Sequence, residues 1–391
     1  LVLLVRAWYL LLTFWHLHRT FSLGRPLFVS ASLSGILMTF LVLGVLITIH
    51  ELGHFLAAKS IKVPVRQFAI GFGPRLLGFQ WGETECRLNV LPLGGYCAFA
   101  DDMDGEQQVP PEQLLRSRPI WQRTWVISAG VLFNFVSAWF LLFGSNVGLG
   151  IPTNNQVVSI RRVLPDTPAQ QSGLQAGDRL LQLAGESIQD FGAFRERLAQ
   201  FKNKPVVITI DRAGQTRDLT ATPTDKGTLG FSPSIRPERV PATGLGAIFA
   251  ATNEQQHRYT TMLANALYQL FTQPSGMMDK TGGPVAIVAM GDQVYQDDPW
   301  LLLEFAVILS IELALINLLP LPALDGGHLV MLALEKVRGK PLPRAVEERI
   351  LVTGFTLLLG LGVMLIIKDL FTVPEMYRQS APPVSPSTPK P

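Results

Sequence analysis

The apolar positions of this chain gather into long uncharged runs instead of alternating with polar ones. Leu33 to Ile49, Thr124 to Ile160 and Ile350 to Ile367 carry no charged residue, and Phe305 to Leu324 carries one, Glu312. Runs of roughly 17–25 apolar residues match the thickness of the bilayer's hydrocarbon core at about 1.5 Å of rise per residue. Lipid offers the backbone no hydrogen-bond partner, so such runs fold as helices. The pattern predicts a polytopic α-helical membrane protein with four core spans, at about 33–58, 124–149, 300–324 and 348–371. A terminal motif extends the third span's region to 334, and a short loop opens the last segment, 335–371.

Elsewhere the period changes. Residues 59–123 contain strand-like runs punctuated at Gly71–Pro74, Trp81–Gly82 and Pro92–Gly95, with Gly82 and Glu83 placed for a hairpin turn. This predicts a small membrane-associated β-sheet, followed by a solvated acidic loop from Asp101 to Glu112. Residues 150–240 are soluble in composition. Strands at "QVVSIRRVL" and "RLLQLAGESI", a short helix in "PDTPAQQSGLQAGD", a helix placing Phe194, Leu198 and Phe201 on one face, and a hairpin centred on Ala213–Gly214 make an inserted α+β module. The connecting region 241–299 holds an amphipathic helical stretch, 243–272, suited to a membrane surface. The Pro- and Ser-rich residues 372–391 read as a disordered tail. Residues 1–32 are interrupted by Arg6, His16, His18 and Arg19. They read as a signal-like or interfacial extension, to which no function is assigned.

Charge adds orientation more than partner. A net charge of +3 over 391 residues gives no case for nucleic acid. Lys336, Arg338, Lys340 and Arg344 crowd the short loop between the last two spans, which the positive-inside rule places in the cytoplasm. The long segment holding residues 150–240 then lies outside. Cys86 and Cys97, the two cysteines, form no CxxC pattern and fall on the inner side, where thiols stay reduced.

The candidate chemistry sits in "HELGH". His50 and His54 are four residues apart, so on a helix both imidazoles leave one face and can hold one ion. Glu51 lies beside them outside a ligand position, where it can take a proton from a zinc-acidified water. Ionisable groups inside a span are costly and mark function. A hydrolytic zinc site has three protein ligands and one open position. Asp325, in "NLLPLPALDGGH" at the end of the third span, is the candidate third ligand; a helix N-cap is the plainer reading. Pro320 and Pro322 break the helix there, and Gly326 and Gly327 let the backbone turn closely. A fourth ligand would close the open position, so His328 is assigned a supporting role.

HELGH at the end of one span with LDGG at the end of a later one resembles the site-2 protease family of intramembrane zinc metalloproteases. The resemblance extends to "GFGP" (Gly71 to Pro74), "PLGGY" (Pro92 to Tyr96), "GVLFN" (Gly130 to Asn134) and "GGPVAI" (Gly282 to Ile287), and covers about residues 35–371. It is nearest to the bacterial regulator-of-sigma-E protease type, with one PDZ domain inserted, whose core here is "SGLQAGDRLLQLAGESI". It implies zinc held by His50, His54 and Asp325, Glu51 as general base, and Asn134 and Asn317 on the substrate backbone. It implies membrane-protein substrates with a transmembrane segment, anti-sigma factors among them, cut within the lipid bilayer of a bacterial plasma membrane. The zinc site would then lie near the cytoplasmic side and the PDZ domain outside. Two positions depart from the family pattern: Val131, where relatives often carry Pro, and Glu312, where a neutral Asn is more usual. The PDZ module leaves two readings open, a groove for peptide termini and a steric filter. The rival to a protease is a non-catalytic PDZ-bearing membrane adaptor with a structural metal.

Overall fold

The computed structural model describes residues 32–100, 110–273 and 282–380. The expected N-terminal extension (but for Ser32), most of the acidic loop, part of the connecting region and the last eleven residues lie outside them. The chain divides into two compact units, one of residues 1–142 with 255–373 and one of residues 143–254 with 374–391.

The first unit opens with α1 (Leu33–Ser60), started by Ser32, whose hydroxyl accepts from the Gly35 amide at 3.0 Å. The helix is apolar all round. Its packed face is rich in small residues: Gly35, Thr39, Gly53, Ala57 and Ala58 are buried with Leu46, His50 and Phe55, while Leu33, Leu37, Leu41 and Val45 stay exposed. Lipid tails are as apolar as leucine, so close packing between small residues holds membrane helices together. A sheet of β1 (Val65–Trp81) and β2 (Thr84–Phe99) follows, turning at Gly82 and Glu83 as the sequence predicts. Both strands bend at glycines of positive φ, Gly71 and Gly73 in one and Gly94 in the other, so Phe68 pairs with both Cys86 and Cys97. Then come α2 (Ile120–Leu149), which carries on into the second unit, and the later helices.

The second unit holds β3 (Ile151–Val163), α3 (Pro168–Gln171), β4 (Arg179–Leu183), β5 (Glu186–Ser187), α4 (Phe191–Leu198), β6 (Val206–Arg212), β7 (Gln215–Ala221) and β8 (Phe231–Val240). The strand order is β7-β6-β4-β3-β8, with β5 on β4. Ile160, Leu180, Leu183, Phe194, Leu198, Ile208 and Ile210 share one buried cluster, against which Phe201 packs. The module read from the sequence is therefore present, with its predicted hairpin turning at Ala213 and Gly214.

After β8 the chain forms α5 (Leu245–Thr272), α6 (Pro284–Asp297), α7 (Leu301–Asn317), α8 (Asp325–Arg338) and α9 (Arg344–Ser380). Among the described residues, three helices are long and apolar enough to cross a membrane: α1, α2 and α9 from Arg344 to Pro374. The expected third span differs. Its helix, α7, has 17 residues, about 25 Å of rise, and stops at Asn317. Residues 318–324, with Pro320 and Pro322, leave helical geometry before α8 begins. An apolar run counted by composition overshoots the helix because proline removes amides and clashes with the preceding turn. At the other end, α9 continues through Pro374 to Ser380, past residue 371 where the sequence reading ends the span.

Candidate metal centre

Three side chains meet in the first unit. Asp325 Oδ2 lies 3.2 Å from His50 Nε2 and 3.5 Å from His54 Nε2, and the two Nε2 atoms are 3.2 Å apart. The ligand-type atoms of His50, His54 and Asp325 all lie within 4.8 Å of one another. Asp325 Oδ2 is buried yet has no aligned hydrogen-bond donor, despite two imidazole nitrogens so near. Lone pairs crowded together in this way repel unless a cation lies among them, and two nitrogens with one oxygen suit zinc. The residues fit the ion.

Each ligand has a local reason for its place. His50 and His54 are one helical turn apart in α1. Gly53, between them, admits α2: a Cβ there would stand 2.5 Å from the Ala129 carbonyl oxygen. Gly130 of α2 sits over the imidazoles themselves, where a Cβ would come within 2.4 Å of His54 Nε2 and 2.6 Å of His50 Cε1. The sequence reading quoted Gly130 only as the start of a motif. Gly130 is one of three glycines in α2, with Gly144 and Gly148, and nothing in the sequence marks the contact it permits. Asp325 is the first residue of α8; Leu324 occupies the N-cap position and no side chain caps it. The N-cap reading of Asp325 therefore drops out. Gly326 and Gly327 press against the carbonyls of Leu318, Leu319 and Leu321, approaches that a side chain would block. Gly354 of α9 abuts Pro322 in the same way and backs the turn that carries Asp325.

Glu51 is half-buried on α1 among His50, His54 and Asp325, and the Cys97 amide of β2 lies against its carboxylate. Gly95 is there too: a Cβ on it would sit 3.3 Å from Glu51 Cγ. The run Gly95–Phe99 thus passes the acid with one side paired to β1. Asn134 is fully buried, with Nδ2 3.2 Å from His50 Nδ1. Asn317 is half-buried at the last position of α7. His328 lines a cavity of 190 Å³ together with Arg123 and Glu335, and is not in the ligand cluster. Val131 is buried, and Glu312 is half-buried in α7.

Known proteins resemble this chain along most of its length. Over 353 residues it is 36% identical to the membrane metalloprotease ARASP, chloroplastic, of Arabidopsis thaliana, covering 86% of this chain and 79% of that one. A protein of Nostoc sp. with the provisional name of a zinc metalloprotease is 38% identical over 348 residues, or 85% of this chain and 95% of the other. Among solved structures, the PDZ domain of the SdrC-like protein from Listeria monocytogenes is 21% identical. That match covers 21% of this chain and 90% of that domain, with a TM-score of 0.19. The model of peptidase family M50 matches residues 38–361. A match that runs from within α1 to within α9 takes in every residue of the centre just described, and so the chain belongs to peptidase family M50.

Proposed function

We infer that this membrane protein is a zinc metalloendopeptidase that hydrolyses peptide bonds within the membrane-spanning segments of other proteins. The observation that carries the reading is the convergence of Asp325 on His50 and His54 beside Glu51, the last three on a helix long enough to cross the bilayer. Bound zinc supplies a Lewis acid that acidifies water and polarises the scissile carbonyl. Glu51 takes the proton from the attacking water and returns it to the departing amide nitrogen. The Cys97 amide holds the carboxylate in place for that exchange.

A peptide in a helix hides its carbonyls, so the segment to be cut must be extended and its freed backbone groups need partners. The run Gly95–Phe99, paired to β1 along one side, passes beside Glu51 and is suited to strand addition by an extended substrate. Asn317, at the end of α7, is placed to contact the substrate backbone. In the second unit β8 is likewise an edge strand, and Phe231 meets Phe191 and Phe194 of α4. A PDZ module there takes peptide termini in the groove between them. The basic stretch from Lys336 to Arg344 favours a zinc site toward the cytoplasm of a bacterial plasma membrane, with the inserted module outside and substrates such as anti-sigma factors.

The test is Glu51→Gln, reconstituted in vesicles with single-span substrates. It should keep its zinc and lose cleavage by at least about a hundredfold. Cleavage at the wild-type rate would end the assignment, and a wild-type protein that holds zinc without cutting any substrate would favour the adaptor.

A further inference from the structure

The stripe of α2 that faces the two histidines is built at one interval. Val126, Gly130 and Asn134 are four residues apart, as are His50 and His54. The Val126 carbonyl oxygen lies 2.9 Å from His54 Nδ1, Gly130 makes room over both rings, and the Asn134 amide lies 3.2 Å from His50 Nδ1. The Val126 contact fixes His54, because a carbonyl only accepts. Nδ1 must carry the proton, which leaves Nε2 bare on the side of Asp325.

His50 meets an amide, which can do either. With Nδ2 toward the ring, it donates to a bare Nδ1; the ring proton then sits on Nε2 and closes the nitrogen that faces Asp325. Asn134 Oδ1, meanwhile, is buried with no donor. Turned end for end, the amide fills the same space, and Oδ1 accepts from Nδ1–H. Only this second arrangement leaves Nε2 of His50 free to bind a metal. We propose that Asn134 is a positioning residue for the zinc centre, its amide oxygen holding His50 in the tautomer that ligates. The inference rests on the metalloprotease reading above and changes the part that family resemblance gave Asn134.

Its surroundings are built to hold it. The Asn134 carbonyl accepts from Ser137 Oγ at 2.9 Å and from Ser310 Oγ of α7 at 2.9 Å, and the two hydroxyls are 3.0 Å apart. The side chain is 0% exposed. A fully buried amide lying against a ligand is poorly placed to meet a passing peptide, and well placed to orient an imidazole.

The experiment measures zinc affinity, by competition with a chromophoric chelator, for the full chain and for Asn134→Leu and Asn134→Asp in detergent. Loss of a hydrogen-bond partner behind a ligating histidine weakens metal binding about 10–100-fold. That loss is expected for Asn134→Leu, with cleavage recovering at saturating zinc and KM unchanged. Asn134→Asp keeps an acceptor for Nδ1–H and should stay within about threefold of wild type, whether or not the leucine variant folds. Wild-type zinc affinity in a folded Asn134→Leu, with a raised KM, would overturn the proposal in favour of a substrate contact. So would an aspartate variant that is folded and as weak as the leucine one. A wild-type protein that binds no zinc would instead refute the metalloprotease reading.

Discussion

Gly130→Ala is the smallest change that reaches the metal centre without touching a ligand. The added methyl would stand 2.4 Å from His54 Nε2, 2.6 Å from His50 Cε1 and 2.8 Å from His50 Nε2. Ordinary contact begins near 3.4 Å, so the closest approach falls short by 3.4 − 2.4 = 1.0 Å. Zinc–ligand distances tolerate only about 0.2 Å. If the rings retreat by even half the shortfall, the ligand set is lost; if the helices part instead, the Gly53–Ala129 contact opens. Overpacking of this kind costs about 1–3 kcal/mol. Placed on the zinc-bound state, that is roughly 5- to 150-fold in affinity. Chelator competition in detergent measures it, with Gly144→Ala as the control, since a Cβ at Gly144 of the same helix meets nothing within 4 Å. Should Gly130→Ala bind zinc within twofold of wild type while Gly144→Ala does the same, the close approach of α2 to the histidines is not what shapes the site.

Other consequences are open to measurement. Asp369 of α9 is buried and accepts from the Gly283 and Ala286 amides at 3.0 and 2.9 Å, capping α6 where glycine has no side chain to do so. Asp369→Ala should cost about 0.5–2 kcal/mol, read as a lower melting temperature that Asp369→Asn partly restores; an unchanged melt sinks the capping argument. Ala213 holds φ 53° in the β6–β7 turn, a conformation that asparagine accepts more readily, so Ala213→Asn should stabilise the second unit by up to about 1 kcal/mol. Slower amide exchange along β6 and β7 would show it, and faster exchange would contradict it. Removal of the metal with 1,10-phenanthroline should abolish cleavage, and zinc but not magnesium should restore it, because the nitrogen-rich donor set suits the softer ion. Activity indifferent to the chelator would remove zinc from the reaction.

How much of this was legible in the sequence depends on whether the relation was local. His50 and His54 are adjacent on any helix, so their pairing needs no tertiary information. The β-sheet and the inserted module announce themselves by alternation and by turn residues, and Gly82 and Ala213–Gly214 turn where they were expected to. The third span was misjudged because hydropathy counts residues, whereas a helix needs amides. The run stays apolar through Pro320 and Pro322, but α7 has already ended at Asn317. Gly130 and the Val126 carbonyl were illegible for a deeper reason. One acts through the side chain it lacks and the other through its backbone, and neither leaves a chemical signature in the chain.

The matching intervals on α1 and α2 also determine how the centre can fail. His54 on Val126, the rings under Gly130 and His50 on Asn134 all depend on one register between two helices, set where Gly53 meets Ala129. Sliding either helix by one turn, about 5.4 Å, would carry a Cβ-bearing residue over the rings and both Nδ1 atoms away from their acceptors together. The three contacts therefore form or break as a set. The small residues at the helix contact serve the chemistry as directly as the ligands do, because in lipid close packing is the force that holds the register.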